Sequence, residues 1–163
     1  SDVYKRQVLH ASQGNYDNTI FHRIIEDFMN QGGDIDNQNG AGGYAAKWFG
    51  YCNGESRSSS SACEQSQWTI PDEADNGLKH GPGKIAMAKT QAENTGGSQF
   101  YIVPTGSTPS HLDGVHTVFG EVTSGMPHVD AINKVETGNN DNDSSTSGDK
   151  PIDDVVLMSV SVN

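Results

Sequence analysis

The sequence predicts a mainly β domain, a closed antiparallel β-barrel with one helix at its mouth. Several short apolar segments rich in strand-forming residues lie between stretches of Gly, Asn, Asp and Pro, whereas only one segment has a clear helical pattern. The 163 residues include 19 glycines and 6 prolines and are only 33% hydrophobic. Loops and turns must therefore be abundant between the strands.

The charge of the chain limits its partners. The formal net charge is −11, from 21 acidic and 10 basic residues. So acidic a chain does not attract phosphate backbones or anionic lipids, which argues against nucleic acid and membrane as partners. No apolar run approaches the length of a transmembrane helix. We therefore expect a folded domain with neither of these partners.

The first seven residues, SDVYKRQ, look like the translated remnant of a sequencing adaptor. We expect residues 1–7 to be a non-native leader and residues 8–163 to form the domain. A natural targeting segment would then be missing, so the compartment stays open, with the cytoplasm favoured. The rival interpretation is a genuine polar N-terminus.

The first half of the chain predicts two strands and then a long loop. Residues 18–25 combine Thr, Ile and Phe between turn-rich flanks, and residues 27–31 form a second extended piece that ends at a glycine pair. Residues 35–67 are rich in Gly, Asn and Ser and hold both cysteines. A structureless stretch of that length is uncommon in a compact domain, so we interpret it as an inserted loop.

The aromatic residues of this insertion leave two interpretations open. Trp48, Phe49 and Tyr51 lie close together in an otherwise polar segment. They would either bind a partner or pack on the barrel, and the sequence does not separate the two.

The second half of the chain predicts the remaining elements. Residues 84–90, 99–103 and 115–122 have strand patterns, and Gly120 predicts a bulge in the third. The helix is predicted at 124–136, with Ser124 as its cap and Pro127 in its first turn. Its apolar face consists of Met126, Val129, Ile132 and Val135.

The C-terminal residues 154–162 predict a closing strand. Alternate residues are apolar over its length, which is typical of a strand with one buried face. The residues of this face are Val156, Met158, Val160 and Val162. Between the helix and this strand, residues 137–150 are predicted to be a solvated loop.

Hydrolytic chemistry has little support in the sequence. The chain has no G-x-S-x-G or H-E-x-x-H motif. Ser98 with His22 or His116 as base and Asp34 as orienting group forms only a chance combination of common residues. A hydrolase is therefore disfavoured.

A metal site also has little support. Cys52, Cys63 and His80 would supply part of a zinc site, but the spacing of the cysteines lacks the short knuckle that orients two thiolates on one ion. A disulfide or two free thiols is favoured, and the choice between them stays open. The acidic loop at 141–149 lacks the glycine and the glutamate positions of a calcium loop.

Arg23 stands out as the only cation in an otherwise apolar strand, within FHRIIEDFMNQGGD at 21–34. A guanidinium is costly to bury unless its five donors have partners. A structural ion pair with Glu26 or Asp34 would explain it and is the preferred interpretation of this segment alone. The second half of the chain changes that balance.

Further motifs complete a set with FHR and QGGD. They are PDE…GLKH, GGSQF within 87–102 and LDG-x-H-x-VFG within 111–122. In this order, and with the insertion at 35–67, the chain resembles the cyclophilin family of peptidyl-prolyl cis/trans isomerases from Val8 to its C-terminus. The combination is highly specific, although no single motif would be.

The resemblance implies a role for each matched residue. The catalytic group would be Arg23 with Gln31 and Phe28. The residues that would bind substrate beside it are Met29, Ala88, Lys89, Thr90, Gln99, Tyr101, Leu112 and His116. On pattern alone, the apolar members of this set would be ordinary core residues.

The chemistry of prolyl isomerisation fits these residue types. Amide resonance gives the X–Pro bond a barrier near 20 kcal/mol, and rotation breaks no covalent bond, so no nucleophile or general base is needed. Twisting the amide localises the lone pair on the prolyl nitrogen, and a guanidinium bonds that nitrogen more strongly than it bonds the planar amide. We therefore expect catalysis by Arg23 without metal or cofactor.

The resemblance also implies which partners the chain binds, and the chain differs from the family pattern at some positions. The expected partners are proline-containing peptides and unfolded proteins, and the chain is expected to be a monomer. His111 occupies the position before LDG that is often Trp in the family, which implies weak or no cyclosporin binding. The first two strands and most of the first helix of the family fold would precede Val8 and are expected to be missing. The rival functions are a proline-peptide binding module with little turnover and an inert fragment.

Overall fold

The structure is a computed structural model, and it describes residues 2–138 and 148–163. Two α-helices, ten short β-strands and two 3-10 turns lie within these ranges. In chain order they are α1 (Asp2–Ser12), β1 (Thr19–Ile20), β2 (Arg23–Ile25), β3 (Met29–Gly32), β4 (Tyr51–Cys52), β5 (Glu55–Ser56), a 3-10 turn (Gln65–Gln67), β6 (Trp68–Thr69), β7 (Lys84–Met87), β8 (Phe100–Ile102), a 3-10 turn (Ser110–Leu112), β9 (Val118–Glu121), α2 (Met126–Ile132) and β10 (Val156–Leu157).

Five strands form the main antiparallel sheet, in the order β2-β3-β8-β7-β9. Its register aligns one residue of each strand in a row across the sheet. The row consists of Arg23, Gln31, Tyr101, Ala86 and Val118. Residues opposite each other on neighbouring strands share a face of the sheet, so the register brings Arg23 beside Gln31 and Gln31 beside Tyr101. The fold is mainly β, as predicted, and closure of this sheet into a full barrel stays a prediction.

Two groups of buried side chains form the hydrophobic core. One lies on the sheet face that carries the row and consists of Met29, Ala86, Ala88, Tyr101, Val103 and Val118, with Ile25, Phe28 and Leu112 packed against it. The other consists of Val3, Ala45, Ile70 and Met87, with Phe49, Trp68 and Phe119 packed against it. β7 contributes to both groups and so links the two halves of the core.

Helix α1 begins within the segment that the sequence analysis set aside as a leader. Val3 is fully buried and Gln7 is 7% exposed, and Ala11 continues the same face at helical spacing. The phenol of Tyr16 donates to Gln7 Oε1 over 2.8 Å, which ties the helix to β1. The structure therefore has an 11-residue helix that begins before Val8, and the loss of most of the family's first helix stays a prediction. The foreign origin of residues 1–7 stays a prediction.

The segment 35–67 contains regular structure that the sequence did not predict. β4 pairs with β5 and with β6, which makes a three-stranded sheet. A disulfide joins Cys52 to Cys63. Phe49 packs against the second core group, and the ring of Trp48 lies edge-on to that of Trp68 with centroids 5.8 Å apart. These contacts show that the aromatic group packs within the domain.

Helix α2 is shorter than predicted, and its cap is different. It spans Met126–Ile132 rather than 124–136, and its N-cap is Gly125 with φ 92° rather than Ser124. A left-handed backbone favours glycine, so Gly125 fixes where the helix begins. Val129 is buried, as predicted for the apolar face. In the two described ranges, no helix combines the length and the apolar content needed to cross a bilayer.

The C-terminal strand is also much shorter than predicted. β10 pairs with β1 over two residues only, because β1 itself has two residues. The expected buried face is largely exposed: Val156 is 47%, Met158 77% and Val162 44% exposed. The prediction of a strand over 154–162 with one core-facing side is therefore wrong.

Candidate active site

Nine of the eleven predicted site residues line one pocket of about 240 Å³. The sheet supplies its floor, and the loop before β9 supplies one wall. The lining residues are Arg23, Phe28, Met29, Gln31, Ala88, Lys89, Tyr101, Leu112 and His116. The structure thus brings together residues from four separate segments, while their functional roles stay predictions.

Arg23 enters this pocket from the end of the row on β2. Its side chain is 41% exposed, and its Nε donates to Asp149 Oδ2 over 3.1 Å. Glu26 and Asp34, the partners that the sequence suggested, do not make this ion pair. The carboxylate comes instead from a loop that was interpreted as merely solvated.

Gln31 lies opposite Arg23, and its hydrogen bonds fix the direction of its amide. Gln99 Nε2 donates to the carbonyl oxygens of Gly40 at 2.9 Å and Gly42 at 2.7 Å. Gln99 therefore presents Oε1 to Gln31, whose Nε2 donates to it over 2.9 Å. With its amide N–H used in this way, Gln31 keeps its own oxygen as the acceptor beside Arg23.

Asp34 anchors the loop that holds Gln99. Its carboxylate is fully buried and accepts hydrogen bonds from five backbone N–H groups. The donors are Asp36, Asn37, Asn39, Gly40 and Gly42, at 2.9–3.2 Å. Burial alone would raise the pKa of Asp34, but the bonds from these backbone N–H groups outweigh it and lower that pKa. Asp34 thus fixes the backbone of this loop, a role different from the ion pair with Arg23 that the sequence suggested.

A polar network lies behind the wall that Tyr101 forms. Tyr101 Oη and His80 Nε2 are 2.7 Å apart, and His80 Nδ1 and Asp113 Oδ1 are 2.8 Å apart. A carboxylate only accepts, so Nδ1–H of His80 donates to Asp113, and in the neutral ring Nε2 accepts from the phenol. The rings of His80 and Tyr101 also stack. Both partners lie in motifs that carried the resemblance, GLKH and LDG, yet no local pattern gave them this role.

His116 is held as a neutral wall of the pocket. Burial lowers its pKa, which outweighs the opposite effect of a hydrogen bond to the carbonyl of Met87. Nδ1 lies 2.9 Å from that oxygen, and a carbonyl only accepts, so Nδ1 carries the hydrogen. The ring lies edge-on to Tyr101 with centroids 5.7 Å apart. The pocket therefore presents an uncharged imidazole at neutral pH.

A second pocket of about 500 Å³ adjoins the first and contains the two remaining predicted residues, Thr90 and Gln99. The two pockets share Gln31, Ala88 and Lys89. The Lys89 side chain is only 3% exposed and its Nζ lies 3.3 Å from Asp72 Oδ2, so its charge is neutralised locally. The shared boundary lets one extended chain occupy both pockets.

The alternatives to this site are not assembled in the structure. Ser98 is fully buried and its hydroxyl donates to Gly33 O over 2.6 Å, so it is not placed to act as a nucleophile. Cys52 and Cys63 are joined to each other, which removes the two thiolates that the zinc hypothesis needed. The described residues contain no group of three His, Cys, Asp or Glu side chains placed to hold a metal ion.

Known sequences match nearly the whole chain. The family model described as "Cyclophilin type peptidyl-prolyl cis-trans isomerase/CLD" matches residues 5–162. The chain is 39% identical over 155 residues to peptidyl-prolyl cis-trans isomerase cypE of Dictyostelium discoideum, covering 94% of the chain and 78% of that protein. It is 39% identical over 151 residues to peptidyl-prolyl cis-trans isomerase-like 1 of Gibberella zeae, covering 92% and 74%.

Solved structures of a cyclophilin type peptidyl-prolyl cis-trans isomerase have a fold similar to that of this chain. A crystal structure of a Cryptosporidium parvum cyclophilin type peptidyl-prolyl cis-trans isomerase, determined in the presence of the dipeptide Ala-Pro, superimposes with a TM-score of 0.74 at 25% identity. The match covers 99% of this chain and 85% of that one. A second structure of the same protein gives a TM-score of 0.73 at 26% identity.

Proposed function

The chain belongs to the cyclophilin-type peptidyl-prolyl cis-trans isomerase family, and from this premise we propose that Arg23 catalyses rotation of X–Pro bonds held in the pocket of about 240 Å³. The observation that supports this role is the row on the sheet, which brings a permanently charged guanidinium beside Gln31, at a pocket that Phe28, Met29 and Leu112 help to line. Amide rotation needs a hydrogen-bond donor and a shaped pocket rather than a nucleophile.

Arg23 acts on the twisted amide more strongly than on the planar one. Rotation removes the conjugation of the prolyl nitrogen, so its lone pair becomes an acceptor for the guanidinium. A charge-assisted hydrogen bond of this kind is worth about 1.5–3 kcal/mol, which corresponds to roughly tenfold to a hundredfold in rate. A lysine would serve less well, because only the planar guanidinium can bond the prolyl nitrogen and Gln31 together.

The pocket walls supply the rest of the effect. Phe28, Met29 and Leu112 belong to the core group that surrounds the row, and they grip the proline ring while the preceding chain rotates. The apolar surface solvates the planar, dipolar amide poorly, which raises the free energy of the ground state relative to the transition state. The residues before proline lie along Ala88, Lys89 and Thr90 and reach the second pocket.

We propose that the substrates are proline-containing peptides and unfolded proteins and that the catalyst is a monomer that needs no cofactor. The compartment stays open, with the cytoplasm favoured. The related protein crystallised with Ala-Pro supports the peptide class. His111 packs on Phe28 with ring centroids 5.8 Å apart and replaces the large indole that the resemblance leads one to expect, so cyclosporin should bind weakly. Titration with cyclosporin tests the weak binding, light scattering tests the monomeric state, and fractionation of the source cells tests the compartment.

The test is a prolyl-isomerisation assay on the 163-residue chain beside Arg23→Ala, with a tetrapeptide that contains one X–Pro bond. We expect kcat/KM to fall by roughly tenfold to a hundredfold. Arg57→Ala is the matched control, because Arg57 is exposed and pairs with Glu55 in the insertion. Equal rates for the wild type and Arg23→Ala would reject the mechanism.

Two further measurements, peptide binding and a proton NMR spectrum, separate the rival functions. Tight binding of the peptide without any acceleration of rotation would favour a binding module. A one-dimensional proton spectrum without dispersed signals would favour an inert fragment.

A further inference from the structure

The carboxylate of Asp149 reaches Arg23 from outside the pocket. Its Oδ2 lies 3.1 Å from Arg23 Nε, and its side chain is 28% exposed. Asp149 does not line the pocket that Arg23, Gln31 and Tyr101 share. The acid therefore contacts the guanidinium without itself lining the pocket.

Backbone hydrogen bonds fix the position of Asp149. Its carbonyl oxygen accepts from Ile24 N over 2.8 Å, directly beside Arg23 on β2. The neighbouring backbone is tied to the segment after α2, because Gly138 N donates to Lys150 O over 2.9 Å and Ile152 N donates to Glu136 O over 3.0 Å. The carboxylate is thus attached to the strand that carries the arginine and does not depend on a free loop.

The contact uses one donor of the guanidinium, and within residues 2–138 and 148–163 no other hydrogen bond of this group is formed, so its remaining donors face no described acceptor. Arginine has five N–H donors in one plane, one on Nε and four on the two terminal nitrogens. A carboxylate on Nε restricts rotation of the whole plane, because the planar group moves as a unit. Without that contact, a side chain that is 41% exposed would sample several rotamers.

Stability alone does not account for the contact. Ion pairs between partly exposed side chains contribute little to folding, and this pair is open to solvent on both sides. Its electrostatic effect on the reaction even opposes catalysis, since a nearby negative charge weakens the field of the guanidinium at the prolyl nitrogen. A gain in orientation is the contribution that the geometry supports.

We propose that Asp149 is a positioning residue, which holds Arg23 through Nε so that its terminal N–H groups face the prolyl nitrogen. The proposal rests on the catalytic role proposed for Arg23. It identifies a residue of the loop after α2 as part of the machinery, although it touches no substrate.

The first experiment compares Asp149→Ala and Asp149→Asn with the wild type in the prolyl-isomerisation assay. Alanine removes the acceptor, and we expect kcat to fall roughly fivefold to tenfold with KM nearly unchanged. Asparagine keeps an oxygen acceptor without the charge, and we expect it to retain activity within about threefold of the wild type. Asp154→Asn is the matched control, because Asp154 is exposed and pairs with Lys150 in the same segment.

A spectroscopic measurement shows whether the arginine has moved. The chain has three arginines, at positions 6, 23 and 57, so a nitrogen-edited NMR spectrum contains few Nε–Hε signals, and Arg23→Lys assigns the one of interest. We expect slow hydrogen exchange at Arg23 Nε in the wild type and in Asp149→Asn, and fast exchange in Asp149→Ala. An unchanged kcat in Asp149→Ala, or a lowered kcat with unchanged exchange at Nε, would overturn the proposal. Should Asp149→Ala fail to fold, fast exchange and full activity together in Asp149→Asn would overturn it instead.

A double variant separates this proposal from the proposed function. If Asp149 acts through Arg23, then Asp149→Ala has no further effect on the rate in an Arg23→Ala background. A further loss of the same size in that background would refute the positioning role and leave the catalytic role of Arg23 intact. An Arg23→Ala variant as fast as the wild type would instead remove the proposed function itself.

Discussion

The row across the main sheet and the C-terminal edge are both built from β-strands, yet they differ in how far their side chains are buried. On the row, each of the inner strands β3, β8 and β7 pairs on both sides, and Tyr101, Ala86 and Val118 are at most 4% exposed. At the edge, β10 pairs with β1 over two residues, and Met158 is 77% exposed. An alternating apolar pattern therefore becomes a buried face only where a partner strand is long enough to support it.

The largest effect that would test this comparison is expected at Asp34, which fixes the loop beside the row. Asp34→Ala leaves five backbone N–H groups without their acceptor, so we expect a loss of about 3 kcal/mol or more in the free energy of unfolding, together with most of the activity. Denaturant titration and the isomerisation assay measure the two losses.

The hydrogen bonds of Asp34 also determine how the stability of the fold depends on pH. The pKa of Asp34 is lower in the folded chain than in the unfolded one, so its stabilisation is complete above the unfolded value near 4 and is lost as the pH falls through the folded value. The acid-induced loss of stability should be smaller in Asp34→Asn, which does not titrate. Asp153→Asn, at an exposed residue of the C-terminal segment, is the control. Identical acid profiles for wild type and Asp34→Asn would contradict the assignment.

A smaller effect is expected at Tyr101, within the row itself. Tyr101→Phe removes the phenol that bonds His80 Nε2 and leaves that buried nitrogen unpaired, which costs about 1–3 kcal/mol of stability. The ring that shapes the pocket remains, so we expect kcat/KM to stay within about threefold of the wild type. Thermal denaturation and the assay check the two parts, with Tyr51→Phe on β4 as the control. A tenfold loss of activity at unchanged stability would show that the hydroxyl acts on substrate.

The smallest effect on stability is expected at the edge. Met158→Lys replaces an exposed apolar residue, so the free energy of unfolding should change by less than about 0.5 kcal/mol and the activity should not change. We expect the variant to aggregate less, because a lysine next to the exposed edge strand β10 opposes pairing with another chain. Light scattering over a range of protein concentrations measures this. Equal aggregation of the variant and the wild type would show that the edge does not associate.

Much of the site could be predicted because its residues sit in short motifs with fixed spacing. Phe28, Met29 and Gln31 follow Arg23 closely in the chain, and the structure gathers them at one pocket with residues of the later motifs. The main strands could also be predicted, because β-branched and aromatic residues between turns mark extended backbone. The single strand predicted at 18–25 is nevertheless two strands, because β1 pairs with β10 and β2 pairs with β3.

The errors concern contacts between distant segments. Helix α1 was missed because its first half was set aside, and the burial of Val3 depends on Ala45, Ile70 and Met87. The C-terminal strand was too long because the length of a strand depends on its partner, and β1 ends after two residues. The N-cap of α2 was predicted one residue too early, at Ser124. The cap is Gly125, because its left-handed φ marks the point where the helix begins.

The sequence by itself determined the mainly β class and the motifs of the site, because these follow from residue types and short spacings, and the reaction followed from the resemblance that those motifs carry. The tertiary structure alone decided which acid holds Arg23, which way the amides of Gln31 and Gln99 point, and that Asp34 supports them. Asp149 stands 126 positions from Arg23 in the chain, so no local pattern relates the two. Only the pairing of its backbone with β2 brings its carboxylate to the guanidinium.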